Sequence, residues 1–88
     1  MKISAECIPR PILAIVQKIK EGTFDYEKHY STETYYNKPI FVTPLFVSYG
    51  QIGYVIGYMD HEIEIDNDYG TLKVLDRNRE TVYQTSLQ

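Results

Sequence analysis

The stretch Asp60-His61-Glu62-Ile63-Glu64-Ile65-Asp66-Asn67-Asp68 decides the fold of this 88-residue chain. Every second residue is a carboxylate, and His61, Ile63, Ile65 and Asn67 fill the alternate positions. A period of two is the period of an extended strand, so Asp60, Glu62, Glu64, Asp66 and Asp68 share one face and the isoleucines the other. One face in water and one against a core is the signature of an antiparallel sheet packed on one side.

Immediately downstream, Asn67-Asp68-Tyr69-Gly70 is a turn signal, followed by the apolar alternation of Leu72 and Val74. A hairpin that pairs Asp66 with Thr71 sets Ile65 against Leu72 and Ile63 against Val74. The same register sets Glu64 opposite Lys73 and Asp60 opposite Arg77. A single register that satisfies both faces predicts the pairing better than either face alone. Glu62, Asp66 and Asp68 are left without a predicted counter-ion.

Upstream, Val, Ile, Phe, Thr and Tyr predominate from Ile40 onward, which predicts strands over 40–48, 51–59, 61–66, 71–76 and 80–85. Pro44 has no N–H for a ladder, so its strand is expected at an edge or at a bulge. Gly53 and Gly57 fall inside a strand, where glycine weakens the element unless another group approaches closely. Residues 2–8 alternate through Ile3, Ala5 and Cys7 and predict a short first strand. Ile12, Ile15, Val16 and Ile19 then follow helical spacing behind Pro11, with Lys18 and Lys20 at the end and Gly22 as the cap. Residues 23–27 read as a strand, and the rest of the segment to Lys38 as a tyrosine-rich loop.

The fold class predicted is therefore α+β. One helix, about 11–21, packs on an antiparallel sheet of four to six strands, with curling toward a partly closed barrel as an option. Residues 1–88 form a single domain, below the common domain size yet long enough for one modest core. With 43% hydrophobic and 24% charged residues the composition is that of an ordinary globular domain. Nine tyrosines and no tryptophan are its one oddity.

Five acids in the stripe against a total of −3 leave a net +2 for the remainder of the chain. An acidic pI near 5.2 disfavours bulk electrostatic attraction to nucleic acid or to an anionic membrane. The lone Cys7 rules out an intrachain disulfide and reads as a core residue of a reducing compartment. No apolar run reaches the ~20 residues of a membrane helix. Glu6, Pro9, Arg10 and Pro11 break up any signal-peptide core. A cytoplasmic protein is the expectation.

The stripe needs no function to exist. Same-face neighbours lie ~6.8 Å apart, so each adjacent pair repels by roughly 0.6 kcal/mol in water, and salt reduces this. Two exposed ion pairs at up to ~1 kcal/mol each offset most of it. The functional reading takes Asp60, Glu62, Glu64, Asp66 and Asp68 as stand-ins for phosphates. One DNA strand advances ~3.4 Å per phosphate, so a carboxylate every ~6.8 Å matches every second step. This predicts a small non-enzymatic protein-binding module, an inhibitor of the viral or mobile-element type, that blocks the basic surface of a partner protein.

Metal and catalytic readings find little. A calcium loop opening at Glu64 places Tyr69 where the motif needs glycine and Leu75 where it needs glutamate. His61 points away from Glu62 and so cannot join it on zinc. No nucleophile elbow, phosphate-binding glycine loop or metal-ligand spacing occurs, so neither an enzyme nor a cofactor is expected. The alternative is a nucleic-acid or small-ligand module using the tyrosine-rich segment 24–38. There Tyr30, Tyr35 and Tyr36 offer stacking surfaces or a contact for self-association. Asp25, Glu27 and Glu33 cancel the charge of Lys28 and Lys38, so nucleic acid is the less favoured occupant.

Overall fold

The computed structural model describes residues 8–27, 33–35 and 38–87, with the backbone alone for 33–35 and 38. Helix α1 (Arg10–Glu21) is followed by strands β1 (Glu33–Tyr35), β2 (Lys38–Val47), β3 (Gly50–Tyr58), β4 (His61–Asp66), β5 (Thr71–Leu75) and β6 (Thr81–Ser86). The six strands form one antiparallel sheet in sequence order. No ladder joins β6 back to β1 among the described residues, so the sheet is open and the partly closed barrel is not formed.

Helix α1 begins behind extended Pro9 and carries Pro11 in its first turn, where a missing N–H breaks no intrahelical bond. It ends at left-handed Gly22. The Gly22 N–H reaches the Ile19 carbonyl at 3.1 Å and the Thr23 N–H reaches Lys18 at 2.9 Å. This is a Schellman closure that satisfies the last carbonyls. Ile12, Ile15, Val16 and Ile19 are buried, which is the apolar face read from the sequence.

That face lies on Ile40 and Val42 of β2, Ile56 and Tyr58 of β3, Ile63 and Ile65 of β4, and Leu72 and Val74 of β5. These residues alternate with outward positions, so the pleat sorts the chain into a core and a bare face. Pairings across β4 are Glu62↔Leu75, Ile63↔Val74, Glu64↔Lys73, Ile65↔Leu72 and Asp66↔Thr71, the register predicted from the two faces. On its other side β4 pairs Gly53↔Asp66, Val55↔Glu64, Ile56↔Ile63 and Gly57↔Glu62.

Pro44 stands in β2, beyond the reach of three-residue β1, which covers only Lys38–Ile40. The β2–β3 ladder also slips between Leu45 and Phe46, so edge and bulge occur together. Gly53 answers its own puzzle: a side chain there would place Cβ 1.8 Å from the Ile65 carbonyl oxygen. Only glycine permits that approach.

Two expectations fail in the tyrosine-rich region. Residues 23–27 form no strand; Thr23–Asp25 is irregular and Tyr26–Glu27 turns, with the Glu27 N–H on Asp25 Oδ1 at 3.1 Å. A strand appears instead at Glu33–Tyr35, inside the expected loop. The aromatic alternation of Phe24 and Tyr26 serves packing. Phe24 is buried, Tyr26 meets it edge-on at 5.1 Å, and Tyr26 stacks on Tyr54 at 4.2 Å. The predicted strand 2–8 and Cys7 fall outside the described residues apart from Ile8, which is buried.

Candidate functional site: the bare face of the sheet

Helix α1 covers one face of the sheet. The opposite face carries, in order across the strands, Phe41, Thr43 and Leu45 of β2, then Gly53, Val55 and Gly57 of β3. Beyond these come Glu62, Glu64 and Asp66 of β4 and Thr71, Lys73 and Leu75 of β5. An apolar band and a carboxylate row thus lie side by side, separated by the glycine-bearing strand.

Each of the five predicted acids has a partner. Asp60 Oδ2 lies 3.2 Å from Arg77 Nη2, as the hairpin register suggests. Glu62 Oε1 receives Arg79 Nη1 at 2.7 Å, and Glu64 Oε2 lies 3.7 Å from Arg79 Nη2. Asp66 Oδ1 accepts the backbone N–H groups of Asp68 at 2.9 Å and Tyr69 at 3.1 Å, pinning the β4–β5 turn. Asp68 Oδ2 accepts the Tyr49 hydroxyl, which ties that turn to the β2–β3 hairpin. Glu62, Asp66 and Asp68 are therefore not the unpaired members the sequence suggested. Lys73 stands opposite Glu64, yet the ion pair of Glu64 goes to Arg79.

Sequence reading missed Arg79 because it sits outside every strand, in the β5–β6 loop. Its backbone is left-handed at φ 62°, unusual for a non-glycine residue. Asp76 shapes this loop by accepting the N–H groups of Asn78 at 2.9 Å and Glu80 at 3.0 Å on Oδ1. The planar guanidinium fork then spans two carboxylates, with Nη1 on Glu62 and Nη2 on Glu64. All three ion pairs are substantially exposed, so each contributes at most about 1 kcal/mol.

The Tyr49 phenol, largely exposed, is held above its ordinary value of 10.0, first by its hydrogen bond to Asp68 and then by slight desolvation and the negative charge of Asp68 and Asp66. Burial, assisted by Tyr54, likewise raises Tyr26.

At the end of the bare face an open cleft of about 700 Å³ lies around Gly57. Phe41 and Met59 flank it with apolar surface, and Asp60, Glu62, Asp76 and Arg77 line its polar side. The β3–β4 turn beside it is built from two non-glycine residues at positive φ, Met59 at 51° and Asp60 at 62°. That is the primed turn matching strand twist. His61 supports it, with Nδ1 2.9 Å from the Met59 carbonyl oxygen, which it meets as a donor.

Large exposed apolar groups among the described residues concentrate on β2 and its hairpin: Phe41, Phe46, Val47 and Tyr49, with Phe46 64% exposed. Met59 and Tyr69 complete the set. Of the predicted tyrosine site, Tyr30 and Tyr36 lie outside the described residues, and Tyr35 contributes its backbone to β1. No group of three or more His, Cys, Asp or Glu side chains among the described residues is placed to hold a metal ion. No helix among them is long and apolar enough to cross a membrane. No protein-family model matches the chain, and no curated protein or solved structure matches it either.

Proposed function

We propose that this protein is a non-enzymatic binding module that docks a partner protein on the side of the sheet left bare by α1. The observation that carries this reading is the apolar run that β2 presents on this face, exposed Phe41 and Val47 with half-buried Leu45 between them, across β3 from the carboxylate row of β4. Contiguous exposed apolar surface rimmed by charge is typical of protein contact sites. Five acids of strand and turn face three bases, Lys73, Arg77 and Arg79, so the surface favours a partner with apolar and basic groups together.

The inhibitor form of this reading, in which the row replaces nucleic-acid phosphates, asks more of the molecule. Arg77 and Arg79 already take one oxygen each of Asp60, Glu62 and Glu64 and neutralise much of the row's charge. We therefore assign the acids to the polar rim of the contact and the apolar band to its centre.

The test is affinity capture from cells that make the protein, comparing wild type with the double substitution Leu45→Ser/Val47→Thr and with Glu62→Gln/Glu64→Gln. Asp66 is left intact because it pins a turn. The expected result is a partner retained by wild type, lost with the β2 pair and weakened with the β4 pair. Recovery unchanged by both doubles sinks the proposal.

A further inference from the structure

Gly57 has no structural reason to be glycine. Its φ is not in the left-handed region, and an added Cβ would meet nothing closer than the Phe41 Cβ at 4.0 Å. Interior strand glycine weakens the sheet. Gly53, two pleats away, is forced by the Ile65 carbonyl, whereas Gly57 leaves bare backbone between Phe41 and Glu62, its neighbours on either side. Adjacent strands lie ~4.8 Å apart, so those two side chains are separated by roughly 9–10 Å of open floor. That width accepts one unbranched side chain laid across the sheet.

The walls select its chemistry. Phe41 is 48% exposed and offers an aromatic ring on one side, and Met59 offers a thioether at the end. On the polar side are three carboxylates and one guanidinium. Each carboxylate uses one oxygen: Asp60 Oδ2 on Arg77, Glu62 Oε1 on Arg79 and Asp76 Oδ1 on backbone N–H groups. Their second oxygens, Oδ1, Oε2 and Oδ2, accept no hydrogen bond from the described residues. A side chain with an apolar stem and a cationic head matches both walls. Arg79 on Glu62 is an intramolecular instance of the head group this edge accepts.

We propose that the Gly57 cleft is a socket for an arginine side chain of the partner protein. Its stem lies on Gly57 against the Phe41 ring, and its guanidinium binds Glu62 and Asp60. This deepens the docking reading given above and rests on it, since it names the partner residue that anchors the bare face.

The probe is Nα-acetyl-arginine N-methylamide, titrated into the isotopically labelled protein and followed by amide chemical shifts. Saturable shifts confined to residues 41, 57–62, 76 and 77 are expected. They should be absent with the uncharged citrulline analogue and lost in both Gly57→Val, which fills the floor, and Glu62→Gln. Non-saturating shifts spread over all the acids, equal shifts with citrulline, or shifts that survive Glu62→Gln overturn the socket. Glu62→Gln keeps the test decisive if Gly57→Val does not fold. The two readings fail separately. Partner capture that depends on Leu45 and Val47 but ignores Gly57 and Glu62 leaves the docking face and removes the socket. Saturable arginine binding without any partner dependent on β2 does the reverse.

Discussion

Gly53 and Ile65 touch through their backbones, so that a methyl group on Gly53 would stand 1.8 Å from the Ile65 carbonyl oxygen. Gly53→Ala must push β3 and β4 apart at the point where Gly53 pairs with Asp66. A loss of about 2–4 kcal/mol is expected in urea unfolding, comparable to other forced overpacking. Gly57→Ala in the same strand meets only open space. It should be neutral or stabilising by up to about 1 kcal/mol, because alanine restricts the unfolded chain more than glycine does. Equal effects at the two positions contradict this account of β3.

Arg79 separates a backbone effect from an ionic one. Arg79→Ala removes the contacts to Glu62 and Glu64 while keeping a left-handed residue without glycine's freedom. Arg79→Gly removes the same contacts and relieves the backbone, so it should be more stable than the alanine variant by about 1 kcal/mol. Relative to wild type the ionic loss itself should stay below about 1 kcal/mol and shrink in salt. Denaturant titrations at low and high ionic strength resolve both.

Ile63 is fully buried between Ile56 and Val74 and faces the helix. Ile63→Ala should cost about 2–5 kcal/mol by leaving a cavity beneath α1. In a chain of this size that is a large part of the total stability. The near-ultraviolet signal of the packed tyrosines should then be lost at a lower denaturant concentration.

Alkaline pH should loosen the fold through two phenols. Tyr26 and Tyr49 are both held above their ordinary value, so the unfolded chain gives up these protons first. Their contribution is fully present below about pH 10, the unfolded value, and is lost as pH rises from there through the folded values. A stability profile from pH 8 to 11.5 should fall only in its alkaline part. Tyr26→Phe and Tyr49→Phe should flatten the fall.

How far the amino-acid sequence reveals this molecule depends on which forces set each element. The helix and the β4–β5 register were legible because burial fixes them: Ile12, Ile15, Val16 and Ile19 recur at helical spacing, and one pairing satisfies both faces of β4. The region 23–35 was not, since Phe24 and Tyr26 alternate like strand residues yet are held by ring packing against Tyr54, a contact distant in sequence. The carboxylate row was legible as a row, but its partners were not. Arg79 reaches Glu62 through a loop conformation set by the hydrogen bonds of Asp76, and strand periodicity carries no record of loops. Tyr26 packs against the core, while the side chains of Tyr30, Tyr35 and Tyr36 lie outside the described residues.

Strand order equal to sequence order has a kinetic consequence. From β2 onward each strand returns beside its predecessor through a link of two, two, four and five residues. Closing such links costs little chain entropy, so the sheet can assemble by successive hairpins without a long search. Helix α1, only twelve residues long, has no stability of its own until Ile63, Ile65, Leu72 and Val74 present a surface for it. Refolding should therefore be fast for a β-rich chain, with the sheet forming early and α1 docking last.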